Sequence, residues 1–271
     1  AVTAGQQFWV IVDGIGTGTG SYTLRIDTAP ETYVLYYPEG FSSNKIREVV
    51  SVSNGGTETV TYSVTLRYND GTETVVRSGS IAAGRRGGVT VSNGALSAAG
   101  VRKGVPYSIV IESSGPLGAT LAHYDFDQST GDSFTDAPSA TWAFARVERN
   151  PGNVADALTI YNPNPFDVVV TLTAHTSSGT VVLTRTIAAE RRGGWNISST
   201  TALPVGTFGV TLTSAPADSA DAASFVGIVA GLTHYDVARG GAYGVLGDPN
   251  GGSTVGAIPS LSYGAGVTSE V

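Results

Sequence analysis

Two stretches carry, in the same order, residues that could do chemistry: His123-Tyr124-Asp125 and His234-Tyr235-Asp236. Residues two apart on a β-strand point to one side. Each stretch could therefore present an imidazole beside a carboxylate, suiting a metal-ligand pair or a His–Asp proton couple. A hydrolase triad would need an activated serine as well, and the chain has no Gly-x-Ser-x-Gly elbow. Catalytic residues duplicated in both halves would be unusual, whereas a tyrosine buried among hydrogen bonds near a strand end is common in β-sandwiches. A structural role is the preferred reading.

Two further groups raise the same choice. "DFDQSTGDSFTD" places Asp125, Asp127, Asp132 and Asp136 around Gly131, and such oxygen-rich loops can hold calcium, the one cofactor this sequence suggests. Its spacing is one residue off the EF-hand pattern. The corresponding later stretch, "DVARGGAYGVLGD", lacks most of the carboxylates, which favours a solvated loop. The second group is Arg-Arg-Gly-Gly, written twice, in "IAAGRRGGVTV" and "IAAERRGGWNI". Arg85, Arg86, Arg191 and Arg192 could contact anions or glycans through guanidinium forks. Alternatively the glycines make a bulge or bend at a strand start, where positive φ or close backbone approach is required. The recurrence favours the corner, with the arginines pairing to the abundant acids.

These groups sit in a chain of 271 residues with 41% hydrophobic and 14% charged content, rich in Val, Thr, Ser and Gly. That mixture suits strands joined by tight turns. Val60, Tyr62, Val64 and Leu66 alternate with Thr and Ser, and "NDG" at 69–71 is a hairpin turn. No helical periodicity persists. A net charge of −7, with Lys45 and Lys103 the only lysines, gives no footprint for nucleic acid. The absence of cysteine excludes disulfides and thiol chemistry, and no run approaches a membrane span. With no methionine, residue 1 is not a translation start, so a processed chain or a fragment is expected.

Internal similarity organises the whole. "TYVLYYPEG" is echoed by "TWAFARVER", "VVSVSNGGTETVTYSVTLRYNDGT" by "ALTIYNPNPFDVVVTLTAHTSSGT", and then come the two Arg-Arg-Gly-Gly stretches and the two His-Tyr-Asp stretches. The second copy carries an insertion, "ADSADAASF", that reads as a loop. The expected fold is all-β: two tandem immunoglobulin-like β-sandwiches, residues 30–140 and 141–250, with a barrel as the runner-up. Residues 1–29 read as an extra N-terminal β-hairpin exposing Phe8 and Trp9 as interface candidates, and 251–271 as a Gly/Ser-rich tail. An isolated hairpin is marginal, so it needs a partner.

The stretches "TWAFARVE", "IYNPNPFDVVVTLT" and "IAAGRRGGVTV" resemble a bacterial family of tandem extracellular modules of unknown function, over roughly residues 32–250. That family's pattern includes Tyr-Phe-Ala-Glu-Gly, Asn-Pro and Val-Pro-Ala-Gly-Ser-Arg-Val-Thr-Val, and the present Arg-Arg-Gly-Gly and His-Tyr-Asp depart from it. "AGQQFWVIVDG" with "GSYTLRI" resembles the closing hairpin of the pre-peptidase C-terminal domain found in secreted bacterial enzymes. Both resemblances imply a secreted or cell-surface setting. The expected function is a non-catalytic structural subunit of a surface fibre, filament or layer, binding other copies of itself through strand pairing. The alternative is an adhesive or carbohydrate-binding module released from a larger enzyme, in which the paired arginines and exposed aromatics meet glycans.

Overall fold

A computed structural model describes residues 32–251, so the expected hairpin with Phe8 and Trp9, and the tail beyond Gly251, lie outside the described residues. Alternation dictates the local structure. In β3 (Val60–Tyr68), Val60, Tyr62, Val64, Leu66 and Tyr68 are buried on one face. In β12 (Val168–Thr176), the matching set is Val168, Val170, Leu172 and Ala174. A period of two on a half-buried strand produces this pattern.

The first copy contains β1 (Tyr33–Tyr37), β2 (Arg47–Ser53), β3, β4 (Glu73–Ile81), β5 (Arg86–Asn93), the short β6 (Leu96–Ser97), β7 (Tyr107–Ser113), β8 (Gly118–Asp125) and β9 (Gln128–Thr130). They form two sheets, ordered β1-β7-β3-β4 and β6-β5-β2-β8-β9. The second copy contains β10 (Thr141–Arg149), β11 (Val154–Tyr161), β12, β13 (Gly179–Ile187), β14 (Arg192–Asn196), β15 (Gly206–Pro216), β16 (Val229–Asp236) and β17 (Gly241–Leu246). Its sheets, β10-β15-β12-β13 and β14-β11-β16-β17, repeat the first arrangement strand for strand apart from β6. All pairings between these strands are antiparallel, and the architecture is all-β and sandwich-type. The insertion expected as a plain loop holds a short 3-10 helix, Ser219–Ser224, started by Asp218, whose carboxylate accepts from the Ala220 amide. A short polar side chain satisfying a free amide at the turn start is the reason.

Each pair of sheets closes over its own apolar cluster. One contains Val50, Val64, Leu66, Tyr107, Ile109 and Ile111, the other Trp142, Leu158, Ile160, Leu172, Trp195 and Leu212. Burying each large side chain contributes about 1.5–3 kcal/mol. Asn54 and Asn162 clamp the two layers in equivalent ways. Asn54 Nδ2 donates to the carbonyls of Glu58 and Ile81, and Asn162 Nδ2 to those of Phe166, Ile187 and Ala188. A third, smaller apolar cluster joins the copies: Val34, Tyr36 and Val110 meet Tyr161, Val229 and Leu246.

Candidate functional site

The Arg-Arg-Gly-Gly corners owe their backbone path to glycine. Gly88 has φ +137° and Gly194 φ +123°, and a Cβ would lie 2.1 Å from the Val50 carbonyl oxygen in one and 2.0 Å from that of Leu158 in the other. No side chain fits against a neighbouring backbone at that distance, so the strand crosses here only as glycine. The arginines have different surroundings in the two copies. Arg85 and Arg86 are exposed. The Arg191 guanidinium lies against Gly71, in the β3–β4 turn of the first copy, while Arg192 is coupled electrostatically to Glu39 and Glu48 of the first copy. The second corner therefore faces the first copy, and the first corner faces solvent.

Each histidine of the two His-Tyr-Asp stretches is buried against an acid that the sequence reading did not single out. His123 Nδ1 lies 2.7 Å from Glu48 Oε1, and His234 Nδ1 lies 2.6 Å from Asp156 Oδ1. The His-x-Asp couples that the spacing allows do not form. The acids sit directly across on the neighbouring strands, Glu48 opposite His123 and Asp156 opposite His234. Asp125 instead accepts from the Phe126 amide, and Asp236 from that of Arg239, because both lie where their strands turn. A signal was present: Glu48 and Asp156 each occupy the inward-facing set of an apolar-alternating strand, six residues before the clamp asparagine. A charge at such a position requires a buried partner.

The equivalence extends further. Glu48 Oε1 accepts from the Phe41 amide at 2.8 Å, and Asp156 Oδ2 from the Glu148 amide at 2.7 Å. Thus Glu48 ties the segment that follows β1, and Asp156 the end of β10, to a His-bearing strand. In the first copy the Tyr107 hydroxyl also donates to Glu48, and the buried Glu39 carboxylate lies 3.6 Å from His123. Burial alone would push His123 down, but the Glu39 charge and the hydrogen bond and charge of Glu48 outweigh it, raising the imidazole to about 9. Burial raises the Glu39 carboxyl, with His123 opposing. Burial also pulls the Arg192 guanidinium down, opposed by the two glutamates, and its buried Nε has no hydrogen-bond partner.

Glu39, Glu48 and His123 are the one group of three potential metal ligands brought together among the described residues, with ligand atoms within 4.8 Å of one another. The hydrogen bonds above already engage His123 Nδ1 and both oxygens of Glu48, and a guanidinium stands nearby. Asp125, Asp127, Asp132 and Asp136 form no such group. Asp132 caps the Ser133 amide and accepts from the Leu246 amide at 2.9 Å across the junction.

The surroundings of this cluster identify it as part of a specialised junction. Arg67 pairs with Glu190 at 3.6 Å, and Glu190 holds φ +53° where the first copy has Gly84 at +65°. Glutamate thus accepts a left-handed backbone that costs about 1–2 kcal/mol, and its charge reaches the other copy. Strand register places Thr141, Ala143 and Thr211 at the positions equivalent to Val34, Tyr36 and Val110, and Ser53 and Gly118 at those equivalent to Tyr161 and Val229. Large apolar residues occur on the faces that meet, and small or polar ones on the equivalent faces that do not. A cavity of about 300 Å³ remains at the junction, lined by Glu39, His123, Asp125, Phe126, Arg192 and Tyr235 among others.

No protein-family model matches the chain, and no curated protein matches it. Among solved structures, the crystal structure of Thermotoga maritima 1070 is similar over 43% of this chain and 98% of that one, with 16% identity and a TM-score of 0.35, too low to bear on fold or function. Among the described residues no helix is long and apolar enough to cross a membrane.

Proposed function

We propose that the protein is a non-catalytic structural subunit that assembles with other copies of itself by strand pairing, in a secreted or cell-surface setting. The supporting observation is the outer edge of the second copy. β13 pairs with β12 over nine residues without a bulge, and among the described residues no strand pairs with its other side. Natural edges are usually blunted by bulges, proline or outward charges. β13 has no proline, and its one charge, Arg185, folds back onto the Gly194 carbonyl and the Trp195 ring, 5.3 Å from the ring centroid. Val182 stands 56% exposed on this edge, and Val75 stands 54% exposed at the matching point of β4. β4 carries a bulge between its pairings to Val64 and Thr65, so β13 is the better template.

Both acid–His pairs support a non-catalytic reading. They are buried, and among the described residues neither imidazole is hydrogen-bonded to a serine hydroxyl. The test is sedimentation and electron microscopy of the purified chain over a concentration series, with Val182→Lys as the edge-blocking variant. Wild type forms larger species as concentration rises, while the lysine variant stays monomeric with an unchanged melting temperature. A wild-type chain that remains monomeric at its solubility limit rejects the proposal.

A further inference from the structure

We infer that an open cleft at the β8–β9 turn is a binding site for an uncharged carbohydrate. It has a volume of about 990 Å³ and is lined by Lys45, Arg47, Tyr124, Asp125, Phe126 and Gln128, with neighbouring turn residues. Small-molecule sites commonly have volumes of roughly 300–1,000 Å³.

Two features identify the ligand class. Two large aromatic rings face solvent here, Tyr124 at 45% and Phe126 at 52% exposure. A ring with one apolar face open to water suits the C–H face of a pyranose, and Tyr keeps a hydroxyl for the sugar's polar edge. The charges lining the cleft balance, Lys45 and Arg47 against Asp125 and Asp127, so no net field selects an anion or a cation. Planar guanidinium and carboxylate groups can still grip adjacent hydroxyls. Gln128 Nε2 donates to the Asp236 carbonyl at 3.3 Å, which fixes that side chain in the cleft wall.

The turn presents Phe126 at a conformational cost. Asp125 pairs with Gln128, leaving Phe126 and Asp127 as a two-residue turn with φ +50° and +57°. Such a turn ordinarily uses Asn-Gly or another glycine pair. The Phe126 ring packs edge-on against Tyr235, 5.2 Å away, which holds it at the cleft wall. The arginine corner of the first copy is not part of this cleft, so the inference is separate from the arginine-based glycan reading. It is also independent of strand pairing.

The decisive variants are Phe126→Gly and Tyr124→Ala. Glycine favours the backbone that Phe126 occupies, so Phe126→Gly keeps the fold while removing the ring. The probes are neutral hexasaccharides of glucose, xylose, mannose and N-acetylglucosamine, measured by titration calorimetry, with melting temperatures recorded in parallel. Wild type binds at least one, and each variant weakens that binding roughly tenfold or more, with Phe126→Gly melting no lower than wild type. The proposal is overturned if wild type binds none of the four. It is also overturned if binding survives Phe126→Gly or is lost instead with Arg86→Ala.

Discussion

Replacing Gly194 by alanine tests whether the recurring Arg-Arg-Gly-Gly stretch is held for its backbone rather than its charge. At φ +123° an L-residue is strained, which costs about 1–3 kcal/mol. The added Cβ would also sit 2.0 Å from the Leu158 oxygen and 3.0 Å from its carbonyl carbon, both backbone atoms of β11. β14 must then move away from β11 near the Thr159–Gly194 pairing, and a buried ladder bond left unmade costs about 1–3 kcal/mol more. The expected loss is about 4 kcal/mol, a large part of a typical domain's 5–15 kcal/mol. Gly84→Ala is the control, with φ +65° and nothing within 4 Å of its Cβ, and should cost only about 1–2 kcal/mol. Arg85→Ala, on the exposed part of the first corner, should change stability by less than about 0.5 kcal/mol. Urea unfolding followed by far-ultraviolet circular dichroism reads the strands of both copies, and tryptophan fluorescence adds the second copy, whose core holds Trp142 and Trp195. If Gly194→Ala proves no more costly than Gly84→Ala, or Arg85→Ala as costly as either, the backbone explanation is wrong.

Stability should also depend on pH through His123. Its folded value, about 9, lies above the ordinary 6.5, so its contribution is complete below 6.5 and is lost as pH rises through 9, by up to about 3 kcal/mol. Glu39, also raised, acts in the same direction, and His123→Gln should flatten the slope measured by urea titration between those pH values. Asn162→Ala should cost about 2–4 kcal/mol in thermal unfolding, because it strands the Phe166, Ile187 and Ala188 carbonyls that its amide satisfies, together with the Asn164 amide.

Much of this fold was legible in local pattern. The alternation in β3 and β12 and the Asn69–Gly71 turn each follow from a few adjacent residues. Sidedness was legible too, since Val60, Tyr62, Val64 and Leu66 all face the core. Partnership was not. His123 and Asp125 are two apart in sequence, yet the imidazole takes Glu48, 75 residues away, because cross-strand neighbours lie closer than a strand end that is already turning. The exposed aromatic pair at the β8–β9 turn was hidden for a different reason: Phe126 occupies a backbone region that its residue type rarely adopts, so type alone does not place it.

The amino-acid sequence by itself determined the all-β character and the duplication, because both are written in short-range periodicity and in markers that recur in one order. Only the tertiary structure decided that the two copies are unequal. Register places Tyr36, Val110 and Tyr161 where the copies meet, and Ala143, Thr211 and Ser53 at the equivalent places that do not. The Arg192 guanidinium then lies within the field of the Glu39 and Glu48 carboxylates of the other copy, while Arg86, the same residue in the same motif, remains in solvent. Solvent exclusion between surfaces far apart in the chain sets that difference, and no local stretch records it.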